Sequence, residues 1–113
     1  MKAAEINFQI ERDENNVPQK IYWKADESPY PDFEETKGIF VAMWDDYHKS
    51  PMTLPLWTNF EVDDMQMFVV GIVDAASKMV ASATNNQKIV HVLEDACREI
   101  VRIVEEERKQ NSK

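Results

Sequence analysis

The sequence predicts an α+β domain, in which a four-stranded antiparallel sheet of mostly sequential hairpins is followed by two C-terminal α-helices packed on it. Two kinds of periodicity support this class. The first half of the chain contains short runs in which apolar and polar residues alternate, as is typical of strands. The second half contains two long stretches in which apolar residues recur every three or four positions, as is typical of helices. Strands followed by helices are characteristic of α+β proteins.

The first two strands are predicted to form a hairpin. Residues 4–12 alternate between apolar and polar side chains, and residues 20–25 form the second apolar run. Between them lies a polar segment, residues 13–16, rich in Asp and Asn, which favour turns. We expect a loop over residues 25–35, because the prolines on both sides of Tyr30 disfavour a helix or a regular strand.

The third and fourth strands are predicted over residues 36–45 and 52–58, with a turn between them. A helix over residues 34–48 is the alternative. The β-branched and aromatic residues of this region favour a strand. Because Pro55 cannot donate a ladder hydrogen bond, we expect the fourth strand to lie at an edge of the sheet.

Both faces of these two strands are apolar. Alternation assigns Phe40, Leu54 and Leu56 to the core face. The residues expected on the second face are Ile39, Val41, Met43, Pro55 and Trp57. If no helix or loop covers that face, its exposed apolar surface predicts an interface with another protein or a homodimer.

Two helices are predicted at residues 62–83 and about 87–108. Asp63 and Asp64 lie in the first turn of the first helix, where the helix macrodipole favours acidic residues. The Thr-Asn-Asn segment between the helices ends the first and can cap the second. We expect a single domain over residues 1–108 and a frayed tail at 109–113.

Composition excludes several classes of function. The 113 residues carry a net charge of −8, which disfavours binding to nucleic acids and to anionic membranes. No apolar run is expected to be long enough to span a bilayer. The single cysteine, Cys97, cannot form an intrachain disulfide, which fits a reducing compartment. We therefore expect a cytoplasmic protein that does not insert into membranes.

No catalytic, cofactor or metal site is predicted. His48 lies in a turn and has no His or Cys neighbour at ligand spacing, and Cys97 lies among apolar helix positions without an activating base. The acidic loop at residues 26–35 has carboxylates that favour either solvation, a calcium ion or a basic partner. In the last case Tyr30 and Phe33 would be its anchors.

Three stretches resemble the gliding-motility protein GldC family. They are DENNVPQKIYWKADESP at 13–29, EETKGIFVAMWD at 34–45 and LWTNFEVDDM at 56–65. With the apolar helix that follows, the resemblance reaches about residue 84, and the second helix is matched more loosely. The resemblance implies a small, soluble, cytoplasmic protein associated with cell-surface movement and its linked secretion machinery. It implies no enzymatic activity, cofactor or functional residue.

The sequence thus predicts a non-enzymatic accessory protein that acts through contacts with protein partners or by self-association. The predicted contact surface comprises Val41, Met43, Pro55 and Trp57, with Tyr30 and Phe33 beside it. One alternative is a peptide-binding adaptor that adds a strand at the edge of the fourth strand. Another is a binder of calcium or a small ligand at the acidic loop.

Overall fold

The structure is a computed structural model that describes residues 2–111. Within them it contains five strands and two helices. These are β1 (Ile6–Arg12), β2 (Pro18–Ala25), β3 (Glu34–Thr36), β4 (Gly38–Asp45), β5 (Ser50–Trp57), α1 (Val62–Thr84) and α2 (Gln87–Asn111). The strands belong to one compact unit, which ends at Phe60, and the helices to a second, which begins at Glu61. The predicted α+β class is confirmed.

The strands form two antiparallel sheets, so the prediction of one four-stranded sheet is wrong. One sheet has the order β1-β2-β3, and the other consists of β4 and β5. The division falls at Lys37. Up to Thr36, which lies opposite Ile21, the chain pairs with β2; from Gly38 onward it pairs with β5. The predicted third strand therefore changes sheets at a bend, as strands do at sheet corners.

The hairpin of β1 and β2 is closed by a turn organised around Asp13. Its Oδ1 accepts the backbone N–H groups of Asn15 at 2.8 Å and Val17 at 3.0 Å. Asn16 has a φ of 63°, a left-handed conformation that Asn tolerates better than most residues. Beyond the turn, Ile10 lies opposite Ile21, which is fully buried. The predicted first hairpin is confirmed.

The hairpin of β4 and β5 is closed by a turn organised around Asp45. Its Oδ1 accepts the backbone N–H groups of Tyr47 and His48, both at 3.1 Å. Its Oδ2 accepts the His48 Nδ1–H at 2.6 Å. Lys49 completes the turn with a φ of 54°. The four turn residues, 46–49, set Asp45 opposite Ser50 and fix the register of the whole hairpin.

This register corrects the predicted assignment of faces. Ile39 lies opposite Leu56 and Val41 opposite Leu54, whereas Phe40 lies opposite Pro55. Residues directly opposite in an antiparallel pair share a face. The prediction placed Phe40 on the face of Leu54 and Leu56, whereas the observed register places it on the face of Pro55. Ile39 is buried, whereas Phe40 and Leu54 are exposed, so the prediction that Phe40 and Leu54 belong to the core is also wrong.

The helices of the second unit form an antiparallel hairpin. Asn85 and Asn86 connect them: Asn85 ends α1 with a φ of 56°, and Asn86 Oδ1 accepts the Ile89 N–H at 3.4 Å. At the other end, Arg108 Nε donates to Asp63 Oδ2 at 3.1 Å. The predicted helices and the break between them are confirmed.

Few side chains of the helical hairpin are buried. They are Ser77 on α1 and Val90 and Val104 on α2. Cys97, which the sequence places among apolar helix positions, is half-buried, and its Sγ donates to the Val70 carbonyl oxygen at 3.7 Å. The core of this unit is therefore narrow, and apolar side chains of both helices remain exposed.

Two expectations about the helices need correction or restriction. α1, with 23 residues, is long and apolar enough to cross a membrane by length and composition. The expectation that no apolar run has this length is therefore wrong. α2 continues to Asn111, three residues into the predicted tail at 109–113, and residues 112–113 lie outside the described residues.

Replacing Asp45 with Ala is expected to destabilise the β4–β5 hairpin, because the turn loses three hydrogen bonds. The hydrogen bonds from His48 hold the pKa of Asp45 below its ordinary value of 3.8. Ionised Asp45 therefore stabilises the fold above that pH, and the contribution is lost as the pH falls through its lower folded value. The difference in urea midpoint between wild type and Asp45→Ala should shrink over this range.

Asp46→Ala is the matched control, since Asp46 is a neighbouring turn carboxylate whose exposed side chain pairs only with Lys49 among the described ion pairs. Exposed pairs of this kind contribute little to stability. An Asp45→Ala midpoint equal to that of Asp46→Ala at neutral pH would show that the Asp45 hydrogen bonds do not hold the hairpin.

Candidate interaction surface

A shallow apolar depression of about 280 Å³ lies on the strand unit. It is lined by Val17, Pro18, Pro55, Leu56 and Trp57. None of these side chains carries a charge, and Trp57 is 55% exposed. An exposed Trp beside prolines and aliphatic side chains offers a large apolar contact area to another molecule.

The depression forms where the start of β2 meets the end of β5. The turn around Asp13 positions Val17, whose backbone N–H and C=O both bond to Asp13. At the other side, the Thr58 N–H donates to the Lys37 carbonyl oxygen at 2.9 Å, which extends the β4–β5 ladder beyond Trp57. The lining is therefore held by backbone hydrogen bonds of two hairpins.

The four strand residues of the predicted surface do not share one face. Pro55 and Trp57 lie on the face of Phe40, and Val41 and Met43 lie on the opposite face with Leu54. The expectation of one continuous surface through all four is wrong, because the strand register differs by one residue from the one assumed. Whether any of them contacts a partner stays a prediction.

Tyr30 and Phe33, the predicted anchors of the acidic loop, are both exposed. The Tyr30 N–H donates to Ser28 Oγ at 3.1 Å. The Phe33 ring lies 5.9 Å from Lys24 Nζ, a cation–π distance that ties the loop to β2. The structure thus presents both aromatic rings to solvent, with Phe33 already engaged on one side.

Within the acidic loop, Asp26 has a structural role. Its Oδ2 accepts the Glu5 N–H at 2.9 Å, and its own N–H donates to the Glu5 carbonyl oxygen at 3.1 Å. This pair fastens the end of β2 to the start of β1. Across residues 2–111, no group of three or more His, Cys, Asp or Glu side chains is arranged to hold a metal ion.

The charged face of α2 consists of ion pairs along the helix. Arg102 donates to Glu99 and to Glu106, the latter at 2.7 Å. The hydrogen bond that Arg102 donates lowers the pKa of Glu99, and the hydrogen bonds that Arg102 donates to both carboxylates raise its own pKa. All three side chains are largely exposed, so they form a solvated helix face.

The edge of β5 bears on the peptide-binding alternative. Within the described chain β5 forms ladder pairs only with β4, and Pro51 and Pro55 remove two backbone donors from the strand. Addition of a peptide strand at this edge stays a prediction.

Val17 and Pro18 were missed as surface residues by the sequence reasoning. They are separated from Trp57 by about forty positions in the chain, and no local periodicity brings them together. The available signal is the apolar Val-Pro pair directly after the polar turn at residues 13–16, which places apolar side chains, including the exposed Val17, at the hairpin end.

The geometry defines a small α+β protein with two antiparallel sheets, a helical hairpin and an uncharged surface depression. A family model described as "Gliding motility-associated protein GldC-like" matches residues 18–106, most of the chain. The chain belongs to the GldC-like family, as the resemblance implied. Comparisons with curated proteins and with solved structures find no significant match.

Proposed function

We propose that the protein is a non-enzymatic accessory component of the gliding-motility machinery, which it serves by binding another protein at the depression around Trp57. Membership of the GldC-like family supports the link to motility. The observation that supports the contact site is the uncharged depression, with a half-exposed Trp as its central anchor. Trp is the residue type most enriched among energetically dominant interface positions.

The partner has a definable chemistry. It presents an apolar side chain to the depression and basic groups around it, because this chain carries a net charge of −8. Charge complementarity of this kind speeds association and selects partners. The exposed Tyr30 offers a second aromatic contact, within the acidic loop predicted for a basic partner.

The proposed location is the cytoplasm. The net negative charge disfavours adsorption to anionic lipid, and one cysteine fits a reducing compartment. The alternative location is the membrane, since α1 is long and apolar enough to cross it by length and composition. Fractionation of cells with a carbonate wash distinguishes the two: a cytoplasmic protein is found in the soluble fraction, and one anchored by α1 stays in the pellet.

Trp57→Ala is expected to weaken partner binding by about tenfold or more, as truncation of a central interface Trp does, and to impair gliding. Because Trp57 is exposed, the fold should persist, which circular dichroism and thermal melting check. The measurements are colony spreading of a gliding bacterium carrying the variant gene and capture of motility proteins by the purified variant.

Tyr47→Ala is the matched control. Tyr47 is 89% exposed and lies in the β4–β5 turn, outside the depression. Its loss should leave gliding unchanged. Normal gliding by Trp57→Ala would refute the contact site, and unfolding of that variant would show that Trp57 is a core residue.

A further inference from the structure

The free edge of β4 differs from the other strands of its unit. Among residues 2–111, β4 pairs with β5 on one side and with no strand on the other. Its run from Gly38 to Trp44 contains no charge and no proline. The features that discourage edge pairing on the remaining strands are Glu11 and Arg12 on β1, Glu34 and Glu35 on β3, and Pro51 and Pro55 on β5. Proteins use such residues to block edge-to-edge association, and β4 lacks them.

We propose that β4 pairs antiparallel with β4 of a second copy, with the two-fold axis at Val41, to form a four-stranded sheet across the dimer. The resulting cross-strand pairs, each formed twice around the axis, are Lys37 with Asp45, Gly38 with Trp44, Ile39 with Met43, and Phe40 with Ala42. This goes beyond the proposed role in motility, because the pairing does not use the depression around Trp57.

The side chains in this register are complementary in size. Trp44, which is 61% exposed, comes to lie over the backbone of Gly38, and Phe40 lies over the small side chain of Ala42. A large aromatic ring opposite Gly or Ala has room to pack, whereas two large residues opposite each other would clash. Aromatic–glycine pairs are known to stabilise edge strands. Lateral contacts between the opposed side chains remove part of the exposed apolar surface of β4 from water.

Charge selects the same register. Lys37 of each copy meets Asp45 of the other, so opposite charges close both ends of the paired strands. An axis at Phe40 would instead set Asp45 opposite Glu35, and an axis at Ala42 would set Lys37 opposite Tyr47. The three donors that Asp45 accepts within its turn leave further acceptor capacity on its oxygens. Opposite charges across a strand pair stabilise it, and like charges destabilise it.

The overall charge of −8 does not prevent this contact. The charges lie outside the run from Gly38 to Trp44, and at physiological salt exposed charges more than about 8 Å apart are largely screened. A two-fold interface is also self-complementary, as this register requires, and two-fold dimers are the commonest oligomers.

The first test measures mass by light scattering over a range of protein concentrations. The wild-type mass should rise toward twice the 13.2 kDa of one chain. Ala42→Lys should weaken the dimer by about tenfold or more, because a charge is buried opposite Phe40. Thr53→Lys is the control: Thr53 lies directly opposite Ala42 on β5, is also exposed and is absent from the β4 edge.

A wild-type protein that stays monomeric, or an Ala42→Lys variant that dimerises as well as wild type, would overturn the proposal. The proposal would also be overturned if Thr53→Lys weakened the dimer as much as Ala42→Lys does. That result would assign the effect to the sheet face that the two residues share and not to the β4 edge. Circular dichroism of each variant confirms the fold.

The second test fixes the register without adding charge. In a Cys97→Ala background, Val41→Cys places two thiols opposite each other at the axis, within the distance of about 7 Å that a disulfide requires. Met43→Cys is the control on the same face, and its two copies are offset by four residues, or about 13 Å. Mild oxidation should cross-link the first variant and not the second. Equal cross-linking by Met43→Cys, or none by Val41→Cys, contradicts this register.

Discussion

The pairing of Asp45 with Ser50 is the constraint on which the surface of the strand unit depends. It follows from a turn of four residues held by the carboxylate of Asp45. Because the turn has an even number of residues, odd positions of β4 face even positions of β5. This parity places Ile39 with Leu56 inside and Trp57 with Phe40 outside. If β5 slipped by one residue against β4, every side chain of β5 would move to the opposite face relative to β4.

Apolar side chains outnumber the positions available to bury them. Hydrophobic residues make up 43% of the chain, yet the buried ones described are Ile21, Ile39, Val90 and Val104. Exposed large apolar residues occur on strands and helices alike. One exposed apolar residue costs little free energy, but a contiguous group of them favours association with another molecule. The chain belongs to the GldC-like family, whose description is gliding motility-associated.

The sequence predicted those features that depend on local patterns. Apolar residues at helical spacing located both helices, and the Asn-Asn pair marked the link between them. The division of the sheet was missed, because residues 36–45 read as one continuous strand. Their sequence carries no information about which neighbouring strand each part pairs with. The assignment of faces could have been predicted, because a turn with an even number of residues already implies that Phe40 shares a face with Pro55 and Trp57. The depression could not have been predicted in this way, because it brings Val17 and Trp57 together from distant parts of the chain.

The passage of the chain from one sheet to the other also limits where this chain can change in length. Only Lys37 separates β3 from β4, so no flexible linker connects the two strands. One inserted or deleted residue here would invert every side chain of β4 relative to β3. The longer loop before β3 can absorb insertions at small entropic cost. The four-residue turn after β4 cannot, because its length fixes the register of β4 against β5. A change in length is therefore better accommodated in the loop before β3 than at Lys37 or in the turn after β4.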